Sequence, residues 1–435
     1  MPKVASTFGL FLTSCLWLAT SACGEDWPGW RGPRGDGTSL GERVPIHWDG
    51  PSGENIEWKV AVPGEGHASP IIWGDRIFLV SCLKETQQRV LLCLDRQTGK
   101  KRWQRNVSRS PLETKHTLNS FASSTPATDG ETVFVTFLEV DGSTIPAPNV
   151  SNPRPVTPGR IVAAAYDFDG KQKWISKPGE FVSAHGFCSS PVLHQDLVIV
   201  NGDHDGASYI VALKKATGET VWKVPREHKT RSYATPLIRR IDGRTHMVLP
   251  GSKCIVSYDP NDGSRHWTIA GPTEQFVASM VFDGKLFYMA AGFPTHHVMG
   301  IRPDRKGEVG DSQVAWSVTN AKCYVPSPVV VDKYLLVADD RGTANCFLAA
   351  SGERLWQGRL GRHFSASLVT AGGLVYFLAD DGVVKVVRPG PTLDVVAENK
   401  LGEFCYASPA IAHDRIYLRG EKHLYCIGET GAAGK

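Results

Sequence analysis

Short apolar runs alternating with polar turns dominate the chain from residue 55 onward. Runs such as Arg76-Ile-Phe-Leu-Val80, Leu197-Val-Ile-Val200, Tyr334-Leu-Leu-Val337 and Leu374-Val-Tyr-Phe-Leu378 have the length and β-branched content of strands. The pattern also repeats. A Gly followed four residues later by Trp occurs at Gly99/Trp103, Gly170/Trp174, Gly218/Trp222, Gly263/Trp267 and Gly352/Trp356. Each copy reads as a hairpin, with a short strand, a polar turn ending in Gly, and a strand opening on Trp.

A second marker precedes each copy. Ser or Thr followed by Pro opens a strand at Pro70, Pro126, Pro191, Pro236, Pro328 and Pro409, with Pro-free versions at Ser279 and Ser367. Proline is tolerated at a strand's first residue because no ladder N–H is needed there. Openings fall at residues 69, 125, 190, 235, 279, 327, 367 and 408, which gives eight units of four short strands. That period belongs to propeller blades. The last unit ends near residue 428 without a fourth strand, whereas residues 55–60 form a Trp-bearing strand with no unit before it. The sequence therefore predicts an all-β, eight-bladed propeller over residues 55–428, closed by its N-terminal strand so that no sheet edge is left open.

The remainder sorts around that core. Residues 1–24 read as a signal peptide, with Lys3 ahead of a short apolar run and small residues near Ala22 and Gly24. A lipoprotein reading would lipidate Cys23, although Thr20 stands where such signals carry an aliphatic residue. Either way the chain is expected to be exported, to the periplasm or cell envelope, and to have no transmembrane span. Residues 25–54, rich in Gly and Pro, are expected to lie across the propeller surface. A five-proline insert at 139–160 should form a surface loop without regular structure, and 429–435 a flexible tail. With 21% charged residues and a net charge of +4, nucleic acid is a poor partner and a monomeric globular chain the expectation.

At this point the residues invite a family. The repeats resemble the tryptophan-docking repeats of the PQQ-like β-propellers, which include quinoprotein dehydrogenases and BamB-like outer-membrane assembly proteins. The opening Trp27-Pro-Gly-Trp-Arg-Gly-Pro33 resembles exported bacterial members of that group, and the similarity spans about residues 27–428. In the dehydrogenases the resemblance implies a quinone over the channel, an adjacent-cysteine disulfide, a Ca²⁺ site and a catalytic Asp. No adjacent Cys pair occurs here and no position matches the Asp or the Ca²⁺ ligands. BamB-like members imply a scaffold for protein partners. Their partner-binding positions cannot be matched here residue by residue.

Candidate chemistry is sparse. Cys93, Cys346 and Cys426 share a repeat position with Ala212 and Ser257, so they read as small packing residues; a Cys82–Cys93 bridge stays open. Asn201-Gly-Asp203-His-Asp205-Gly206 looks like the start of a Ca²⁺ loop but lacks its closing Glu, and reads as a turn, as do Asp339–Gly342 and Asp380–Gly382 by the same register. Trp58, Trp103, Trp174, Trp222, Trp267, Trp316 and Trp356 are expected to dock blade against blade. His67, His185 and His363 stand just before strand openings, and could meet Arg231, Tyr233, Tyr324, Arg362 and Tyr406 at one channel mouth. Such a mouth could hold an acidic or carbohydrate ligand, or through its imidazoles a metal. No catalytic residue is expected, and no cofactor. The preferred reading is a non-catalytic envelope scaffold for a protein partner. A PQQ- and Ca²⁺-dependent dehydrogenase and a polysaccharide-binding propeller are the alternatives.

Overall fold

A computed structural model describes residues 24–150, 152–303 and 311–429. Residues 1–23 of the expected signal peptide, with Cys15 and Cys23, and residues 430–435 of the C-terminal tail lie outside the described residues. The chain folds as an eight-bladed β-propeller of four-stranded antiparallel sheets. Blade 1 runs through Ile71–Trp73, Arg76–Leu83, Gln88–Asp95 and Lys101–Arg109 from axis to rim. Blades 2 to 7 follow the same order, and blade 8 contributes Ala410–Ala412, Arg415–Arg419 and His423–Ile427. Its fourth strand is Ile56–Ala61, paired antiparallel to His423–Ile427 with Trp58 opposite Cys426 and Val60 opposite Leu424. The ring thus closes on its own N-terminal strand, and no blade presents an unpaired edge to a gap in the ring.

Middle strands are buried on both faces, because each blade is sandwiched between two others. In blade 1, Phe78, Val80 and Cys82 pack toward blade 2 while Ile77 and Leu79 pack toward blade 8. The alternation seen in sequence separates these two neighbours, and so both sets are apolar.

The Gly–Trp marker is now explained by geometry. Each Trp docks on the Gly of the following blade, not on the Gly of its own hairpin. A Cβ on Gly99 would lie 2.7 Å from the Trp58 ring, one on Gly170 2.9 Å from Trp103, and one on Gly218 2.5 Å from Trp174. Those glycines also hold φ of 68°, 80° and 75°, which disfavours any side chain. The indole N–H groups donate to the turn of the next blade, Trp58 to Arg96 O, Trp103 to Phe168 O, Trp174 to Lys215 O, Trp222 to Pro260 O, Trp316 to Ala349 O and Trp356 to Gly390 O. Trp267, fully buried, has no such partner among the described residues. The small-residue position lies directly across the strand pair from each Trp, as in Cys93/Trp103, Ala212/Trp222, Ser257/Trp267 and Cys346/Trp356. Cys82 pairs with Arg89 and Cys93 with Phe78, and both cysteines are free, so the hairpin bridge is not formed.

Blade 7 has Ala397 where the Trp should stand, opposite Val386. Trp48, from the N-terminal segment, fills the gap. Its ring stacks on Tyr376 at 6.5 Å, in the strand position where Phe78, Phe134, Tyr288 and Tyr417 meet their own tryptophans at 5.9–6.1 Å. The backbone N–H of Trp48 donates to Asn399 Oδ1, and that of Gly50 to Lys400 O, which ties the segment along the outer strand of blade 7, while the Trp48 indole N–H has no partner among the described residues.

Two expectations need correction. The 139–160 insert does contain regular structure, with Ile145–Pro146 pairing with Pro155–Val156 and Ala147 and Val156 buried against Val182 and Ala184. Proline in a two-residue edge ribbon costs little, since its missing N–H faces away from the ladder. Residues 27–37, moreover, do not lie across the surface but enter the channel. Trp27 exchanges backbone bonds with Ile72, Pro28 O accepts from Thr128 N–H, and Thr370 pairs with Gly37 and Ser39. Arg31 is buried on the axis side, donating to the carbonyls of Leu368, Pro328 and Asp36. With no carboxylate in direct contact, burial pulls its guanidinium down to about 10.

Candidate functional site: the mouth of the channel

The Ser/Thr that opens each blade does more than precede a proline. Its hydroxyl accepts the backbone N–H of the equivalent residue one blade earlier. The chain of bonds runs Ser69 to Thr125, Thr125 to Ser190, Ser190 to Thr235, Thr235 to Ser279, Ser279 to Ser327, Ser327 to Ser367 and Ser367 to Ser408, at 2.8–3.3 Å. The inner strands begin at this ring, and their N–H groups would otherwise face the channel unpaired. Only the step back to Ser69 is unmade, and the Ser69 hydroxyl is buried without a partner.

Above the ring opens a cavity of about 680 Å³ whose lining includes Trp30 and six ring hydroxyl residues. Trp30, with its Nε1–H donating to Ser279 Oγ, comes from the inserted N-terminal segment, so the cavity is backed by that segment. The walls are loops from successive blades. His67 packs against Tyr406 at 4.5 Å, and Tyr406 stacks on Phe404. His185 lies between His116 and Tyr233. Phe293 packs on Tyr324, whose hydroxyl donates to Gln275. Lys322, Arg341 and Arg231 supply positive charge, and Asp340 is the single carboxylate among the described lining residues.

Of the residues predicted for a mouth site, His67, His185, Arg231, Tyr233, Tyr324 and Tyr406 line this cavity together. Arg362 and His363 do not. Arg362 is exposed on the loop, and His363 is turned to Asp380 at 2.7 Å, a contact that raises its pKa. Sequence reasoning missed Trp30, His116, Leu118, Phe293, Lys322, Asp340 and Arg341. Trp30 had a signal in the Trp27–Pro33 motif, and Asp340 and Arg341 lie in the Asp339–Gly342 turn read only as a strand connection; the others sit at loop positions with no shared spacing.

Burial sets the protonation of the site. His67 is drawn down to about 4, chiefly by desolvation with Arg419 adding to it, and His185 to about 4 by desolvation and Arg231. Both rings are therefore neutral near pH 7. Desolvation also pushes the Cys188 thiol up to about 12, so this cavity cysteine is a poor nucleophile. Arg231 is 5% exposed and bound through one nitrogen to Asp205 at 2.8 Å, while its Nε has no partner. Asp203 and Asp205, the candidate calcium-loop carboxylates, are each committed to an arginine, Arg226 and Arg231. No three His, Cys, Asp or Glu side chains among the described residues are placed to hold a metal.

A family model described as outer membrane protein assembly factor BamB matches residues 40–144, 142–292 and 306–389. The chain belongs to this family. Among solved structures it is similar to BamB from Moraxella catarrhalis, with a TM-score of 0.60 and 13% identity over 87% of this chain and 98% of that one. It is also similar to the quinohemoprotein alcohol dehydrogenase from Comamonas testosteroni, with a TM-score of 0.53 and 13% identity over 94% of this chain and 82% of that one. At that identity both likenesses concern the fold. No curated protein matches the sequence. The cavity of this BamB-family propeller does not suit a quinone with a bound Ca²⁺. Its lone carboxylate among the described residues, Asp340, accepts the Val325 N–H, and among them no second acidic oxygen lines the wall to complete a hard-cation site. Among the described residues, no helix is long and apolar enough to cross a membrane.

Proposed function

We propose that the protein is a non-catalytic binding propeller of the bacterial cell envelope, exported and engaging a protein partner through the channel-mouth face. The observation that carries this reading is the rim of the cavity. Leu118, Phe293 and Phe404, on loops of three different blades, are 45%, 48% and 55% exposed around a concave, partly cationic centre. Large apolar side chains spaced around a pocket are what protein interfaces use as anchors. The family supports the same reading, since the description of its model names an assembly factor. No cofactor is needed for such a role.

The test is capture from envelope extract by the immobilised mature chain, with and without the triple change Leu118→Asp, Phe293→Asp and Phe404→Asp. Specific proteins retained by the wild type and lost by the variant are the expected result. Identical captured sets would overturn the assignment of this face. Dye-linked alcohol oxidation on adding pyrroloquinoline quinone and Ca²⁺ would overturn the non-catalytic reading itself.

A further inference from the structure

The rim explains why something docks; the cavity beneath it says what chemistry enters. The cations are not spread evenly. Arg231 comes from the loop between blades 3 and 4, Lys322 from the loop between blades 5 and 6, and Arg341 from a turn of blade 6. Phe293 and Tyr324 stand on the same side, at 6.0 Å from each other. Acidic side chains at the mouth are Glu421 of blade 8, whose N–H is tied to Phe404 O, Glu65, paired with Lys115, and Glu274, which pairs with Lys253 and donates its own N–H to Phe293 O.

Arg231 is the telling residue. Its side chain is withdrawn from solvent yet lines the cavity; Asp205 holds one terminal nitrogen, and Nε, without a hydrogen bond, is sealed from the cavity. Asp205 therefore leaves the cavity side of the guanidinium open, and a ligand carboxylate there would add a charge-assisted bond. Lys322 and Arg341 are exposed and free of any ion pair among the described residues, so they offer charge to an incoming anion without first breaking a bond. The hydroxyl ring and Trp30 close the far side. A volume of about 680 Å³ admits a few residues of extended chain rather than a folded domain.

We infer that the mouth cavity receives an acidic peptide segment of the partner protein, its carboxylates meeting Arg231, Lys322 and Arg341 and a neighbouring aromatic side chain packing on Phe293 and Tyr324. This rests on the protein-binding reading above and adds the chemistry of the segment. Charge complementarity decides in favour of an acidic segment, and the exposed apolar rim of Leu118, Phe293 and Phe404 in favour of a peptide over a sugar acid.

The experiment is fluorescence anisotropy on the full mature chain with a labelled peptide of alternating glutamate and phenylalanine, against the same peptide with glutamine for glutamate. Saturable binding of the acidic peptide, at least tenfold weaker for the glutamine peptide and for Lys322→Glu/Arg341→Glu, is expected. Both substituted side chains are exposed, so an unchanged melting curve should accompany the loss. Equal binding of the two peptides, or binding indifferent to the charge reversal, would overturn the inference. So would polygalacturonate binding in its place, which would assign the cavity to acidic polysaccharide. The two readings fail separately. Envelope proteins captured through the rim but unaffected by charge reversal would remove only the acidic segment, whereas peptide binding without any captured protein would remove only the envelope partner.

Discussion

Replacing Trp48 by Ala tests whether the N-terminal segment completes blade 7. Trp48 is 3% exposed, stacks on Tyr376 and sits in one cluster with Leu401 and Ala397. Truncating a buried Trp to Ala typically costs about 3–5 kcal/mol, part from lost transfer and part from the cavity left behind. The lower half of that range applies, because the backbone N–H bonds from Trp48 to Asn399 and from Gly50 to Lys400 still hold the segment. At about 2 cal/mol/K per residue over roughly 400 folded residues, the unfolding entropy is near 0.8 kcal/mol/K, so a loss of about 3.5 kcal/mol lowers Tm by about 4 °C. The assay is a thermal melt followed by near-UV circular dichroism, with Leu40→Ala as the exposed control, since Leu40 is 68% exposed. Restoring the repeat residue on the strand itself, by Ala397→Trp with Val386→Ala to clear space beneath the indole, should return part of the loss in the Trp48→Ala background. A Trp48→Ala protein melting within a degree of the control would refute the idea that this indole replaces the missing docking residue.

Gly99→Ala should destabilise by about 2 kcal/mol, because the site combines φ of 68° with a Cβ position 2.7 Å from Trp58; denaturant melts would show it, and a neutral outcome would remove the docking explanation of the glycine. Ser327→Ala should cost about 1–2 kcal/mol by leaving the Ser279 N–H buried and unpaired, whereas Ser327→Thr should restore most of it; equal melts for the two variants would discount the hydroxyl ring. Stability should fall as pH drops from about 6.5 toward 4. His67 and His185 keep folded values of about 4 against 6.5 unfolded, so in that window the unfolded chain binds more protons, at about 2 kcal/mol per ring. Urea titrations of wild type and His67→Gln/His185→Gln across this range should show a flatter pH profile for the variant.

The architecture was legible because its signals are local and repeated. Gly and Trp four residues apart mark a hairpin, Ser/Thr-Pro marks a strand opening, and an orphan strand at 55–60 marks the closure. What each signal does physically was less legible. The Gly that shares a hairpin with a Trp receives the Trp of the preceding blade, and the hydroxyl before the proline serves a neighbour one blade away. Both partners lie tens of residues off in sequence, so nothing in the local pattern reveals them. Trp27 to Pro33 was visible as a motif but not as a channel insert, since its burial is provided by inner strands of blades 1, 2 and 7. The mouth was half legible. Residues placed just before strand openings, such as His67 and Tyr406, arrive there by the repeat itself. Lys322 and Phe293 arrive on loops of individual shape, Arg341 sits in a repeat turn whose sequence said nothing of the mouth, and His363 was diverted by an acidic neighbour, Asp380, that the sequence did not tie to it.

This division has a consequence for how binding chemistry is carried by such a ring. The Trp–Gly contacts and the hydroxyl ring fix where each blade stands, and they use backbone groups and residues of one size at one register. The loops at the mouth contribute little to either system, so their side chains can change without disturbing the frame. Lys322 and Arg341 stabilise nothing that the ring depends on, and reversing them should alter what binds while leaving the melt alone. Arg231 is different. It joins the frame through Asp205, whose carboxylate also accepts the Ala184 and Arg231 N–H groups, so its charge cannot be removed without stranding a buried acid. The cavity therefore pairs one cation fixed by the fold with two that are free to vary. Selectivity for an acidic ligand should persist at reduced strength when the two free cations are neutralised, and should vanish only when Arg231 and Asp205 are replaced together by a neutral pair of similar size.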